Sequence, residues 1–99
     1  MSIQIETSTQ KMRSGADEIT QIASQFNSLQ KSMFEAGREL DKTWEGDASQ
    51  SFGNQLKNDE PGFDKLFSIM NEYAEAIKES ANEYDRTEAK IQEQISTKR

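Results

Sequence analysis

Apolar residues recur every three or four positions through the first half of the chain, which predicts one long amphipathic helix. The stripe consists of Met12, Ala16, Ile19, Ala23, Phe26, Leu29, Met33, Ala36, Leu40 and Trp44. Thr7 and Gln10 have the spacing of a capping box that opens a helix. Arg38 and Lys42 lie near the other end, where the helix dipole favours cations. We therefore predict a helix over about residues 8–42.

A second stripe with the same spacing follows and predicts a second helix over about residues 48–95. It comprises Ala48, Phe52 and Leu56, then Phe63, Phe67, Met70, Ala74, Ile77, Ala81 and Tyr84, and continues to Ile91 and Ile95. Pro61, followed by Gly62, interrupts the stripe, and proline removes a backbone donor and crowds the preceding turn. One long helix with a kink at 58–62 is the favoured interpretation, and two separate helices are the alternative.

The segment Trp44-Glu45-Gly46 separates the two stripes and predicts a turn. Gly46 suits a left-handed position at a helix end, and Asp47 with Gln50 three residues later is a plausible capping pair for the next helix. The predicted fold class is all-α, an antiparallel helical hairpin in a single domain over residues 1–99.

Two amphipathic helices meet along one seam and cannot enclose a core. We expect Ile22, Phe34, Leu66 and Ile69 to stay in water in a solitary hairpin. Pairing two hairpins into a four-helix bundle would bury them, so a dimer is expected, with a homodimer favoured over a heterodimer or a solitary hairpin. The predicted dimer interface is Phe26, Met33, Phe67 and Met70.

The register of this hairpin predicts an overhang. With the turn near residue 46, residue 8 would lie opposite about residue 84, so the segment from Tyr84 onward would have no first helix beside it. Glu88 interrupts the apolar stripe between Tyr84 and Ile91. Because burying an unpaired carboxylate is costly, we expect Glu88 to be exposed.

Composition narrows the chemistry. Leu, Ile, Val and Phe make up only 17 of 99 residues and the formal charge is −6, values typical of disorder that only the helical periodicity outweighs. The chain has no Cys and no His, so it lacks a thiol nucleophile, the commonest general base and the usual zinc ligands. The acidic balance disfavours nucleic acid and anionic membrane surfaces. No catalytic residue, cofactor or metal is predicted, and an enzyme is disfavoured.

One segment superficially resembles a calcium loop. It starts at Asp41 and has Gly46 at the sixth place, but Phe52 occupies the twelfth, where a bidentate Glu is required. Residues 1–6 lack the basic and apolar regions of an ordinary secretory signal, and no stretch is apolar enough to span a bilayer. From these features alone, we expect a cytoplasmic protein that does not insert stably into a membrane. Export by a route that does not use such a signal stays open.

Two short motifs carry a resemblance that covers the whole chain. Trp44 and Gly46 form a central Trp-X-Gly turn, and Tyr84 with Glu88 forms a Tyr-X-X-X-Glu motif near the C-terminus. In these motifs, and in its length and acidity, the chain resembles the WXG (ESAT-like) family of helical hairpins. The members of that family are substrates of type VII secretion in mycobacteria and Gram-positive bacteria.

The resemblance implies a dimeric bundle, synthesised in the cytoplasm and exported folded, without a cleaved signal, by a secretion machine driven by an ATPase. It further suggests that Tyr84 and Glu88 of one protomer form one surface with Trp44 and Gly46 of its partner. The leading hypothesis is a secreted effector, carrier or co-secreted partner. The alternative is an intracellular helical adaptor or structural bundle subunit with no export role.

Overall fold

The computed structural model describes the backbone of residues 2–97 and the side chains of residues 8–96. This part of the chain forms α1 (Ser2–Thr43) and α2 (Asp47–Thr97), joined by residues 44–46, and contains no strand. α1 begins earlier than the predicted start near residue 8, and the side chain of Thr7 lies outside the described residues. α2 continues through Pro61, so the second stripe forms one long helix rather than two. The kink at 58–62 stays a prediction.

The chain divides into two compact units. Unit 1 comprises the residues up to Thr20 together with those from Asn71 onward, and unit 2 comprises Gln21–Met70. Each unit therefore contains a stretch of α1 and a stretch of α2, and unit 2 also contains the connection between them.

In unit 1 the stretches of α1 and α2 run antiparallel. Arg13 of α1 forms an ion pair with Asp85 of α2. Asp17, one turn later in α1, lies 3.5 Å from Nζ of Lys78, which precedes Asp85 in α2. Residue numbers that rise along α1 thus meet numbers that fall along α2. Because these side chains are 40–71% exposed, the pairs fix the register of the helices more than they add to stability.

In unit 2 the two helices form an antiparallel hairpin around the connection. Nε2 of Gln30 donates a hydrogen bond of 2.9 Å to Asp64, and Arg38 lies 3.2 Å from the carboxylate of Glu60. The predicted fold class, an all-α antiparallel helical hairpin, is confirmed.

Within each unit, the residues of each helix that face the other helix recur every seven positions, and we call the line of contact inside a unit its seam. On α1 they are Thr9, Ala16, Ala23, Gln30 and Gly37, and on α2 they are Gly53, Glu60, Phe67, Ala74, Ala81 and Glu88. A seven-residue repeat keeps one line of side chains on the same face of a helix. Most members of the two series are small, and the four alanines are fully buried. Small side chains let the two helices approach closely.

An aromatic cluster packs between the two helices in unit 2. Phe34 is only 1% exposed and is the largest fully buried side chain among the described residues. Its ring lies 5.2 Å from that of Phe63 between centroids in a T-shaped contact, and Phe26 stacks on Phe63 at 6.1 Å. The prediction that Phe34 stays in water is therefore wrong.

The predicted α1 stripe leaves the seam after Phe26. Leu29 is 72% exposed, and Met33, Ala36 and Leu40 are exposed as well. The side chains that turn toward α2 instead lie one position later, at Gln30, Phe34, Gly37 and Asp41. The second half of the predicted stripe is thus a separate apolar line on the outside of the hairpin.

These exposed side chains form one face of unit 2, which we call the outer face. It comprises Ile22, Leu29, Met33, Ala36 and Leu40 of α1 and Leu66 of α2. Leu29 precedes Gln30 and Leu66 precedes Phe67, so on each helix the exposed residues are rotated about 100° from the seam in the same sense. Because the helices are antiparallel, the same rotation leads to the same side of the two-helix layer.

Truncating Phe34 tests the corrected core. We expect Phe34→Ala to lower the free energy of unfolding by about 3–5 kcal/mol, because it removes the ring that contacts Phe63 and leaves a cavity. Phe34→Leu keeps part of the apolar contact and should cost clearly less. The measurement is urea unfolding followed by circular dichroism at a fixed protein concentration. A loss below about 0.5 kcal/mol for Phe34→Ala is typical of a surface residue and would contradict the burial of this ring.

Candidate functional site

The turn between the helices is built around Gly46. Its φ is +107°, a left-handed backbone conformation that costs glycine little and strains other residues. Its carbonyl oxygen accepts a hydrogen bond of 3.2 Å from the backbone N–H of Gln50, which makes Gly46 the N-terminal cap of α2. Asp47, predicted as the cap, is instead the first residue of the helix, where its negative charge suits the helix dipole.

The indole of Trp44 is packed on one side and open on the other. It contacts Phe52 of α2 at 5.8 Å between ring centroids, with the planes tilted by 51°. It is nevertheless 42% exposed. A large aromatic side chain held by one neighbour and otherwise open to solvent is typical of a contact residue, because little ordering is left to occur on binding.

Tyr84 and Glu88 lie one turn apart on α2 in unit 1, but in different surroundings. Tyr84 is 55% exposed and lines a shallow concavity with Glu79, Ser80, Glu83 and Thr87. Glu88 is half-buried and belongs to the seam series of α2. The pair thus presents an open aromatic ring and, beside it, a carboxylate that faces toward α1.

The predicted overhang from Tyr84 onward is wrong for the segment that carries Glu88. Thr9, Gln10 and Arg13 of α1 line an open concavity of about 540 Å³ together with Asp85, Glu88, Ala89 and Gln92 of α2. The first helix therefore accompanies α2 through this segment, because the observed register pairs Arg13 with Asp85, whereas the predicted register placed residue 8 opposite about residue 84. Glu88 is correspondingly less exposed than expected.

Asp85, between the two motif residues, is tied to α1. Its carboxylate accepts hydrogen bonds from the guanidinium of Arg13 and the hydroxyl of Thr9, and Arg13 also donates to Oδ1 of Asn82 at 3.1 Å. The hydrogen bond from Arg13 lowers the pKa of Asp85 below its ordinary value. Sequence reasoning missed this contact. The spacing of Arg13 and Asp85 from the turn, once the register was known, is the signal that could have found it.

The dimer-interface residues predicted from the sequence fall in different environments. Met33 lies on the outer face, whereas Phe26 stacks on Phe63 in the seam. Phe67 and Met70 are half-buried, and Phe67 belongs to the seam series.

The described residues show neither a cluster suited to a metal ion nor a helix suited to spanning a membrane. They contain no group of three or more His, Cys, Asp or Glu side chains that could hold a metal ion. Neither described helix combines the length and hydropathy needed to cross a bilayer.

Comparison with known proteins gives one match. The family model described as "WXG100: Proteins of 100 residues with WXG" matches residues 4–89, a range that includes both the Trp44 turn and the Tyr84–Glu88 segment. Neither the curated proteins nor the solved structures give a match.

The lowered pKa of Asp85 predicts how its ion pair depends on pH. A carboxylate with a folded pKa below its unfolded pKa stabilises the fold above the unfolded value, and this contribution is lost as the pH falls through the folded value. We expect the difference in free energy of unfolding between the wild type and Asp85→Asn to be constant near neutral pH and to shrink below about pH 4.

The measurement is chemical denaturation from pH 2 to pH 7 at constant ionic strength. Glu83→Gln is the matched control because it removes the same charge from the same helix, and Glu83 forms an ion pair with Arg86 of its own helix, at 3.0 Å. A difference for Asp85→Asn that is equal at both ends of this range would contradict the assigned ion pair.

Proposed function

Because this chain belongs to the WXG100 family of small helical-hairpin proteins of type VII secretion systems, we propose that it is exported by such a system as a dimer of hairpins. Trp44 and Gly46 form the turn motif, and Tyr84 and Glu88 form the export motif. Outside the cell the protein acts as an effector, a carrier or a co-secreted partner. The observation that carries the proposal is that the family match spans both motifs.

The exposure of Trp44 and Tyr84 supports a role in recognition. Both are large aromatic side chains that a folded chain ordinarily covers, and both remain about half open to solvent. Neither contributes to the fully buried core of the hairpin. They are thus available to a protein surface, and the ATPase of the secretion machine is the proposed partner.

Glu88 adds a negative charge next to the exposed ring of Tyr84. Its carboxylate lies on the wall of the concavity that α1 and α2 form in unit 1. The nearby guanidinium of Arg13 is already engaged by Asp85 and Asn82. Glu88 therefore keeps acceptor capacity for a donor on the secretion machine.

The outer face of unit 2 supports pairing with a second hairpin, either another copy or a different WXG-type chain. Its leucines and methionine are exposed in the single chain, and burying one such side chain contributes about 1.5–3 kcal/mol. Two hairpins that stack through this face would form a four-helix bundle. Met33 then lies at the centre of the interface, Phe26 and Met70 lie at its margin, and Phe67 supports it from the seam.

The proposal includes no catalytic step, no cofactor and no metal. The WXG100 family consists of non-enzymatic secreted proteins. Export uses no cleaved signal peptide, because recognition is assigned to the folded hairpin.

A charge on the outer face tests the dimer. We expect Met33→Asp to convert a species of twice 11.3 kDa into a monomer, because a carboxylate in an apolar interface has no partner there. Ser24→Asp is the matched control, since Ser24 is exposed and points about 180° away from Met33 on α1. Size-exclusion chromatography with light scattering measures both masses. A dimer that survives Met33→Asp would place the interface on another face.

Substitution of the motif residues tests export. We expect Tyr84→Ala and Glu88→Ala to reduce the amount of protein outside the cell strongly while the thermal midpoint and the dimer mass change little. Asp85→Ala is unsuitable as a control because Asp85 holds Arg13. Glu75→Ala replaces it, since Glu75 is exposed on the same helix, carries the same charge as Glu88 and points about 180° away from Tyr84.

Immunoblots of culture medium and cell lysate, with and without the secretion ATPase, give the readout. Equal export of all variants would remove the motif assignment. Retention of the wild type in the cell whether or not the ATPase is present would favour an intracellular adaptor.

A further inference from the structure

Asp41, near the end of α1, is hydrogen-bonded to Ser49, near the start of α2. The hydroxyl of Ser49 donates a hydrogen bond of 2.5 Å to Oδ1 of Asp41 and lies 3.3 Å from the Asp41 carbonyl oxygen. That same carbonyl accepts the backbone N–H of Trp44 at 3.4 Å. Ser49 is buried although it is polar, so this hydrogen bond is shielded from water.

Gly53 provides the space that the Asp41 carboxylate occupies. A Cβ atom on Gly53 would lie 2.9 Å from Oδ2 of Asp41 and 3.4 Å from its Cγ. The carboxylate cannot retreat freely because its other oxygen is held by Ser49. A Cβ built on Gly62 of the same helix meets nothing within 4 Å. Of these two glycines of α2, only Gly53 is approached this closely.

We propose that Asp41, Ser49 and Gly53, which we call the clasp, are positioning residues that set the orientation of the Trp44 indole. Trp44 follows Asp41 by three residues, and Phe52, the ring against which the indole rests, lies directly before Gly53. The clasp joins the two helix ends that carry these rings. The role in export that follows from this rests on the proposed function of Trp44.

The clasp acts on orientation rather than on the existence of the helices. α1 and α2 are held together elsewhere by the aromatic cluster and the buried alanines of the seam. Loss of the Ser49 hydroxyl therefore leaves the hairpin intact but frees the last turn of α1 to rotate. Trp44, whose backbone N–H bonds to the Asp41 carbonyl, moves with that turn.

Trp44 is the only tryptophan of the chain, so its fluorescence reports its own environment without labelling. We expect Gly53→Ala and Ser49→Ala to shift the emission maximum to longer wavelength and to increase quenching by acrylamide, because the indole loses its contact with Phe52. Far-UV circular dichroism should stay at the wild-type value. Gly62→Ala, the same substitution at an open position of α2, should leave all three signals unchanged.

A double substitution distinguishes the clasp from general damage to α2. In the background of Asp41→Ala the carboxylate that Gly53 accommodates is gone, so adding Gly53→Ala should produce no further shift in emission. Additive shifts would show that Gly53 acts independently of Asp41 and would overturn the proposal. Emission that is unchanged in Ser49→Ala would overturn it as well. Because Ser49→Ala adds no atoms, it remains informative if Gly53→Ala fails to fold.

Export of the same variants separates this inference from the proposed function. Reduced export of Gly53→Ala and Ser49→Ala, together with shifted emission, supports both. Shifted emission with export equal to that of Gly62→Ala supports the positioning role and contradicts the assignment of Trp44 to export recognition. Trp44→Ala provides the reference level of export for a chain without the indole.

Discussion

The structure depends on the seam, where small side chains let α1 and α2 approach closely. A single line of contact of this kind cannot enclose a hydrophobic core. Alanines at seven-residue intervals bring α1 and α2 together, and among the described large side chains only Phe34 is fully enclosed. Since one line of contact buries one side of each helix, the remaining apolar residues must lie outside it. The outer face of unit 2 is the direct result of filling the seam with small residues.

The same constraint explains why the motif side chains are accessible. Trp44 projects from the connection, where the seam ends, and Tyr84 lies on the side of α2 that the seam does not use. Neither ring belongs to the fully buried core, so both stay open to solvent. Glu88 belongs to the seam series, and its carboxylate is accommodated because α1 presents polar Thr9, Gln10 and Arg13 there.

The helices, the turn and the antiparallel pairing could be predicted from periodicity and from Gly46, because each depends on neighbouring residues. The face of α1 that packs against α2 could not be predicted as easily. The steps Ala23 to Phe26 and Phe26 to Leu29 are both three residues, which moves the predicted stripe onto the adjacent face. Periodicity alone favours apolar Leu29 over Gln30, whose burial depends on a bond to Asp64, 34 positions away. The clasp likewise depends on contacts between two helices.

Pro61 gives the long second helix one place of lower bending stiffness. Proline has no N–H to donate to the carbonyl of Lys57, so one backbone hydrogen bond of α2 is missing within unit 2. Gly62 follows with the weakest side-chain restraint a helix can have. A helix of 51 residues is roughly 75 Å long. Within unit 2, α2 is therefore expected to bend most easily at this pair of residues.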